Sequence, residues 1–218
     1  MSTPEIIYRQ VGELTSDLIA LSMCNHQKYP SMKDCHGGIR EIGFGNDSSL
    51  SVVLKNLPYS EIYKELERAQ LYNIKMIDGA LIQLMYRFHK NKIENHRLAF
   101  FPSPYLEEYQ NDPETYESDE RYAEIIMKNI VPFPLRFDFD SDIGKLDHSK
   151  AHLSLGQYKN CRISVSAPLT PYHFISFLLC NFYNTAYRKF HGKLTLHTEK
   201  FSSTILKREQ NLIYVQIP

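Results

Sequence analysis

The chain has 218 residues, its 25 basic and 25 acidic side chains balance at neutral pH, and 43% of its residues are hydrophobic. This hydrophobic fraction excludes a disordered chain, and the balanced charge excludes a protein that attracts polyanions through its overall field, although it leaves room for a local basic patch. The length predicts a single domain with its own core, and 15 Tyr and 12 Phe favour β-sheet.

The cysteines and the N-terminus predict where the protein resides. The chain has 4 Cys, with no C-x-x-C pair and no His at zinc-finger spacing. No signal-peptide pattern opens the sequence, and its longest apolar run is far shorter than the ~20 residues that span a bilayer. We therefore expect a cytoplasmic protein without a membrane segment.

Helical signals dominate residues 1–77. Thr3-Pro4-Glu5 is typical of a helix start, and apolar residues recur at helical spacing from Ile7 to Leu18. Glycines and prolines punctuate residues 24–50, which we interpret as loop with one or two short strands, the best strand being Ser51 to Leu54. Helical spacing resumes over 58–70. We interpret 1–77 as a mainly helical N-terminal part, continuous with a sheet-and-helix core over 78–218.

Alternation replaces helical spacing from residue 80 onward. Ile82 to Phe88 predicts a strand, a polar turn over 90–95 follows, and 96–101 predicts its hairpin partner. Three further strands are predicted at 135–140, 152–156 and 161–166. Thr170-Pro171 then opens a strongly apolar helix that runs to about Phe190. The predicted fold class is α+β, with a single antiparallel sheet of about five strands and helices packed on one face.

The most informative pattern lies between residues 136 and 166. In Arg136-Phe-Asp-Phe-Asp140, side chains alternate between faces, so Arg136, Asp138 and Asp140 share one face and the phenylalanines take the other. The same division recurs at His152-Leu-Ser-Leu and at Arg162-Ile-Ser-Val. One sheet face is therefore predicted to be apolar, and the other to gather Arg, Asp, Asp, His and Arg.

This polar face has alternative interpretations. Asp138 and Asp140 would lie about 6 to 7 Å apart, a spacing suited to a divalent metal, and His152 would extend the ligand set. His152 could instead act as a general base, as could His148 beside Asp147. The purely structural alternative is a solvated face of an antiparallel sheet, which normally carries polar residues.

The two arginines and Cys161 could likewise have a functional role or a purely structural one. Arg136 and Arg162 could form a ladder of ion pairs with the aspartates across strands, or could hold phosphate. The ladder is favoured because unlike charges on facing strands satisfy each other without a ligand. Cys161 is predicted to alternate onto the apolar face with Ile163 and to be an inert core thiol.

A basic segment, 187–208, follows the predicted apolar helix. It holds lysines and arginines with Tyr187 and Phe190 among them, and only Glu199 opposes them. Such a segment could contact phosphates of nucleic acid. The favoured interpretation is a solvated helix end whose cations suit the helix dipole.

Several segments, in order, resemble a bacterial family known as a domain of unknown function. They are Asp78-Gly-Ala-Leu, Arg97-Leu-Ala with Pro102-Ser-Pro104, Arg136-Phe-Asp-Phe-Asp140, His152-Leu-Ser-Leu-Gly156, Cys161-Arg-Ile163 and Pro168-Leu-Thr-Pro171 with Phe174 and Phe182-Tyr183. The resemblance implies a component of small gene clusters of the mobile-element or phage-defence kind, and it transfers no catalytic residue. The family often has Pro and a second His where this chain has Ala151 and Ser154, which puts a paired-histidine site in doubt.

Three functions follow as hypotheses. The leading one is an accessory or interaction subunit of a bacterial multi-gene system whose polar face docks a partner protein. The alternative is a metal-dependent phosphodiesterase or nuclease acting on nucleic acid; the sequence establishes no cofactor, and a divalent metal is the candidate. Its metal ligands would be Asp138, Asp140 and His152, and its catalytic residues would be these three with Arg136 and Arg162. The third is a nucleic-acid-binding module that uses 187–208.

Overall fold

The computed structural model describes residues 2–45, 57–105, 113–126, 132–143, 149–158 and 160–218. In these ranges the chain forms a nine-stranded antiparallel sheet with helices packed against it. No helix there combines the length and apolar character needed to cross a bilayer. The strands are β1 (Cys24–Gln27), β2 (Ser31–Cys35), β3 (Ile39–Gly43), β4 (Ile74–Met76), β5 (Leu81–His89), β6 (Lys92–Phe101), β7 (Leu135–Asp140), β8 (Ala151–Leu155) and β9 (Ile163–Ser164). The helices are α1 (Pro4–Ala20), α2 (Tyr59–Arg68), α3 (Pro113–Ser118), α4 (Ala123–Ile126), α5 (Pro171–Phe182) and α6 (Asn184–Phe190).

Strand β5 organises the sheet. The strand order is β1-β4-β5-β6-β7-β8-β9, and β3, with β2 beyond it, also pairs with β5. One edge of β5 pairs with β6 along its length, while the other edge holds β4 near Leu81 and β3 from Tyr86 to His89. The C-terminal segment adds one parallel bridge between Val165 and Val215.

The strands from Leu81 onward confirm the alternation, but the prediction of about five strands is wrong. Strands β1 to β4 precede them and contain only 4, 5, 5 and 3 residues. Glycines and a proline separate these short strands. Each of them is too short to show the alternation of polar and apolar residues that identifies β5 to β8. The strand predicted at Ser51 to Leu54 lies outside the described residues. Residues 1–77 thus contribute strands as well as helices to the fold.

The first hairpin turns earlier than predicted. Lys90 and Asn91 have φ of 46° and 66°, the backbone conformation of a tight two-residue turn, and β6 begins at once with Lys92. The register shifts between Arg87 and Phe88, which leaves Glu94 as an extra residue in β6. The residues predicted as turn are therefore largely strand.

Helix α1 begins where the sequence predicts. The Thr3 hydroxyl accepts a hydrogen bond from the backbone N–H of Ile6 at 3.4 Å, and Pro4 occupies the first turn. A cap of this kind stabilises a helix by about 1 kcal/mol. The apolar residues of α1 join the main core cluster, namely Ile7, Val11, Leu14 and Leu18.

The predicted helix over 171–190 is two helices. Tyr183 separates α5 from α6, with φ of −138° and ψ of 47°. The Tyr183 side chain is fully buried and donates its hydroxyl to Oδ1 of Asp78 at 2.8 Å. The break therefore places a polar tip inside the core at the turn that precedes β5.

Two core clusters lie on opposite faces of the sheet. The main cluster packs α1 and α5 on one face, where the rings of Phe137 and Phe174 meet edge to face at 6.0 Å. The second cluster packs Tyr63 of α2 against Leu81 and Phe101. The prediction of helices on one face is therefore incomplete, because α2 covers one end of the other face and leaves the rest of it open.

His96 is a buried histidine on the main cluster side of the sheet. Its Nε2 accepts a hydrogen bond from the backbone N–H of Leu169 at 3.1 Å, so the neutral ring carries its proton on Nδ1. The rings of Tyr86 and Phe139 lie 5.6 and 5.8 Å from it. Burial lowers the pKa of His96 to about 4. His96 is thus a core group that folding keeps uncharged.

Gly79 forms the turn between β4 and β5. Its φ is +79°, and a Cβ there would lie 3.0 Å from Cβ of Ser103 and 3.3 Å from the hydroxyl of Tyr63. That hydroxyl donates to the Gly79 carbonyl at 2.5 Å. Both the backbone conformation and the close approach of its neighbours therefore require glycine.

Candidate functional site

Cross-strand register aligns polar side chains on the sheet face turned away from the main core cluster, here called the polar face. Arg97 of β6 stands opposite Asp138 of β7, which in turn stands opposite His152 of β8. His152 is opposite Ser164 of β9. Directly opposed residues have Cβ atoms about 5 Å apart on one face. These four residues form the central row of the polar face.

Asp138 is the anionic centre of this row. Its Oδ1 accepts a hydrogen bond from Nε of Arg97 at 3.1 Å. Its Oδ2 lies 3.9 Å from Nε of Arg136 and 3.9 Å from Nε2 of His152. The Asp138 side chain is only 17% exposed. One carboxylate therefore faces three basic groups, and the shortest contact is with Arg97.

Arg136 is less well neutralised than Arg97. Its side chain is 20% exposed, and within the described ranges its one acidic contact is Asp138 at 3.9 Å. Burial lowers the pKa of Arg136; the charge of Asp138 opposes this shift, and Arg97 and Arg162 add to it. The guanidinium is therefore short of negative charge.

Arg162 lies just before β9 and completes the basic group. Its side chain is exposed, and it makes no ion pair with any residue that the structure describes. It is close enough to Arg136 to lower the pKa of that guanidinium. Two arginines with spare hydrogen-bonding capacity thus stand together at one end of the polar face.

At the other end of the polar face, carboxylates lie close to the arginine of β5. Arg87 of β5 is held between Glu41 of β3 at 3.4 Å and Glu94 of the β6 bulge at 2.6 Å. Asp140 stands opposite Asn95, and its Oδ1 accepts a hydrogen bond from the backbone N–H of Asp142 at 2.9 Å. Among the described arginines of this face, those without a close carboxylate therefore lie at the Arg136 end.

A cavity of about 560 Å³ lies over this face. Its volume falls within the roughly 300–1,000 Å³ typical of small-molecule sites. Basic side chains outnumber acidic ones among the described residues that line it. The basic ones are Lys33, Arg87, Arg97, Arg136 and Arg162, and the acidic ones are Glu41, Asp138 and Asp140.

His152 is oriented by its backbone surroundings. Its Nδ1 lies 3.2 Å from the carbonyl oxygen of Ser149, an arrangement in which Nδ1–H donates and Nε2 points toward Asp138. The hydroxyls of Ser149 and Ser164 are 2.6 Å apart beside it. The imidazole is therefore fixed within the central row, with a side chain that is 8% exposed.

The polar face does not gather a metal-ligand set. In the described part of the chain, no three His, Cys, Asp or Glu side chains converge on a common point. Oδ1 of Asp138 is engaged by Arg97, and the Asp140 carboxylate faces its own backbone turn. The metal-binding role of Asp138, Asp140 and His152 stays a prediction that this geometry does not favour.

All five residues singled out in the sequence line the same cavity: Arg136, Asp138, Asp140, His152 and Arg162. Their catalytic role also stays a prediction. Sequence reasoning missed Arg97 as a site residue, and only the β6–β7 register, which places it opposite Asp138, could have identified it. The alternative base His148 and its neighbour Asp147 lie outside the described residues.

Cys161 differs from its prediction. It precedes β9 rather than forming part of it, is half-buried, and lines the cavity instead of the core. The strand alternation begins after this residue, so its side chain does not follow the face of Ile163.

The basic segment 187–208 is partly neutralised. Lys189 pairs with Glu120 at 2.5 Å, and the ammonium groups of Lys189 and Lys193 lie 5.6 and 5.3 Å from the ring of Phe190. These contacts favour a stabilised helix end, and nucleic-acid binding by this segment stays a prediction.

Comparison with known protein families finds a match over most of the chain. A family model described as "uncharacterized conserved protein (DUF2290)" matches residues 23–217, a range that takes in all nine strands and the whole cavity lining. No curated protein and no solved structure matches the chain. The match agrees with the resemblance to a domain family of unknown function seen in the sequence segments. The chain therefore belongs to the DUF2290 family of uncharacterized conserved proteins.

Proposed function

We propose that the cavity on the polar face binds an anionic group, and that through it the protein acts as an accessory or interaction subunit of a bacterial multi-gene system. The observation that carries the proposal is the pair Arg136 and Arg162. Both line the cavity, and together they have one acidic neighbour among the described residues, Asp138 at 3.9 Å from Arg136.

The charge pattern supports an anion as the ligand. Asp138 already accepts a hydrogen bond from Arg97, so it serves two guanidinium groups at once. A partly buried cation that lacks a close anion is unfavourable, and an oxyanion held by forked guanidinium groups would relieve it. Phosphate and carboxylate groups both match this fork, whereas a neutral ligand does not.

The subunit role is supported by the resemblance to gene-cluster components and by the lack of a gathered metal-ligand set in the described ranges. In this role the anion would be carried by a partner molecule that docks on the polar face. The phage-defence or mobile-element setting rests on the resemblance alone.

A metal-dependent phosphodiesterase or nuclease is the second candidate. One observation favours it: Asp138, Asp140 and His152 line the same cavity as the two arginines. The engagement of Asp138 by Arg97 weighs against it, because a metal would have to displace that contact. Hydrolysis of a phosphodiester in the presence of Mg²⁺ or Mn²⁺, abolished by Asp138→Asn in a folded protein, would establish this candidate in place of the binding function.

Calorimetric titration with inorganic pyrophosphate tests the binding proposal. The wild-type protein is expected to bind it, and Arg162→Ala to weaken binding about tenfold or more, since a charge-assisted hydrogen bond contributes roughly 1.5–3 kcal/mol. Arg136→Lys is expected to weaken binding as well, because lysine cannot offer a planar fork.

Arg188→Ala is the matched control. Arg188 is an exposed arginine of α6 outside the cavity lining, and its removal changes the net charge equally. The proposal fails if pyrophosphate does not bind, or if Arg188→Ala weakens binding as much as Arg162→Ala.

A further inference from the structure

We propose that the anionic ligand is a nucleotide, with its phosphate on Arg136 and Arg162 and its base stacked on Tyr158. This inference rests on the proposed anion-binding function and names the ligand class for the same cavity. Tyr158 lines the cavity together with both arginines. It is also the second most exposed of the large hydrophobic side chains in the described ranges, at 82%.

Tyr158 is held in place despite its exposure. It follows β8 in a turn where Gly156 has φ of +63°, and a Cβ on Gly156 would lie 3.4 Å from Cδ2 of the tyrosine ring. The ring therefore lies against the glycine backbone while most of its surface faces solvent. Glycine permits both the turn and the close approach of the ring.

Hydrogen bonds fasten this turn on two sides. The backbone N–H of Gly156 donates to the carbonyl of Pro134 at 2.7 Å, and Nε2 of Gln157 donates to the carbonyl of Leu57 at 2.8 Å. The backbone N–H of Cys161 donates to the carbonyl of Tyr158 at 3.3 Å. An exposed aromatic ring on a fastened turn loses little freedom when a planar ligand stacks on it.

One loop thus supplies both kinds of contact. Tyr158 and Arg162 lie four residues apart in the connection between β8 and β9, and Arg136 lies on β7 beside them. Exposed aromatic rings next to cationic groups are the usual means of holding a base and its phosphate. The cavity volume of about 560 Å³ suits a single nucleotide. Stacking uses the π-face that every base has, so little base preference is expected.

Calorimetric titration with ADP and with inorganic pyrophosphate measures how much the base contributes to the affinity. The two share a diphosphate, and ADP is expected to bind about tenfold or more tightly because stacking adds to the phosphate contact. Tyr158→Ala should remove this gain, Tyr158→Phe should keep it, and neither should change pyrophosphate binding. Tyr29→Ala is the control, since Tyr29 is 56% exposed and lies outside this cavity.

Each outcome separates the two proposals. If neither ligand binds, the anion-binding function itself fails. If pyrophosphate binds and ADP gains nothing, or if Tyr158→Ala weakens both ligands equally, only the nucleotide inference fails. A 5′-phosphorylated oligonucleotide then distinguishes the sources: tighter binding than ADP assigns the site to the end of a strand, and weaker binding assigns it to a free nucleotide.

Discussion

Replacing Asp138 by Asn tests whether the central row of the polar face stabilises the fold. The substitution keeps the size of the side chain and removes its charge. It leaves the hydrogen bond from Arg97 without its ionic component, and it removes the one acidic neighbour of Arg136 among the described residues. Three basic groups then face one another without a counter-charge.

The expected loss follows from the contacts. The Arg97 contact is 3.1 Å long, and its two side chains are 26% and 17% exposed. A hydrogen bond to a charged group contributes about 1.5–3 kcal/mol, and the longer contact with Arg136 adds at most about 1 kcal/mol because solvent reaches it. We therefore expect the free energy of unfolding to fall by about 2–3 kcal/mol. For a chain of this length, that lowers Tm by about 4–12 °C.

Urea denaturation monitored by circular dichroism measures this loss, with Asp140→Asn as the control. Asp140 carries the same charge on the same strand face, but it makes no ion pair with a described residue, so its substitution should change stability by less than about 0.5 kcal/mol. Equal losses for the two variants, or a gain in stability for Asp138→Asn, would refute a stabilising role of the central row. A double-mutant cycle with Arg97→Gln should assign most of the loss to the Arg97 pair.

Two further predictions concern the core. Because burial lowers the pKa of His96 to about 4 in the folded protein against 6.5 for the free group, the unfolded chain takes up a proton first as pH falls. The wild type should therefore lose about 2–3 kcal/mol of stability relative to His96→Gln between about pH 7.5 and pH 4.5, measured by urea denaturation at each pH, and parallel pH profiles would contradict this. Gly79→Ala should destabilise the protein by at least about 2 kcal/mol more than Gly37→Ala. Gly37 is the control because it has φ of +77°, but a Cβ added to it would meet nothing within 4 Å. Equal melting temperatures for the two variants would show that the contact between a Cβ on residue 79 and Ser103 does not destabilise the protein.

The part of the fold that the sequence predicts is the part in which local pattern and burial agree. Strands β5 to β8 alternate over five to ten residues, and Thr3 and Thr170 both cap helices as expected. Strands β2 and β3 have no such length. They pair with each other, and β3 pairs with β5, a long-range interaction that no local window contains. Tyr183 interrupts an apolar run because its hydroxyl binds Asp78, which lies 105 residues away.

The sequence predicts which site residues share a face within one strand, but not which residues of neighbouring strands pair with them. Alternation placed Arg136, Asp138 and Asp140 on one face, and all three line the cavity. The partner of Asp138 is Arg97, and that pairing depends on the β6–β7 register, which follows from tertiary packing. The same dependence explains why the acidic pair suggested a metal site: the strand spacing is right for one, but the neighbouring strand supplies a guanidinium.

The position of the cavity on β7 has a consequence for the thermodynamics of binding. Arg136 and Asp138 alternate with Phe137 and Phe139, which are buried in the main core, and β6 and β8 pair with the strand on either side. Their Cα positions are therefore preorganised before any ligand arrives. Capture of an anion should order few additional degrees of freedom, so the entropic penalty should come mainly from the exposed side chain of Arg162. The affinity for the anion would then depend on how well the residues of the β8–β9 connection are ordered, because β7 already holds Arg136 in a fixed position.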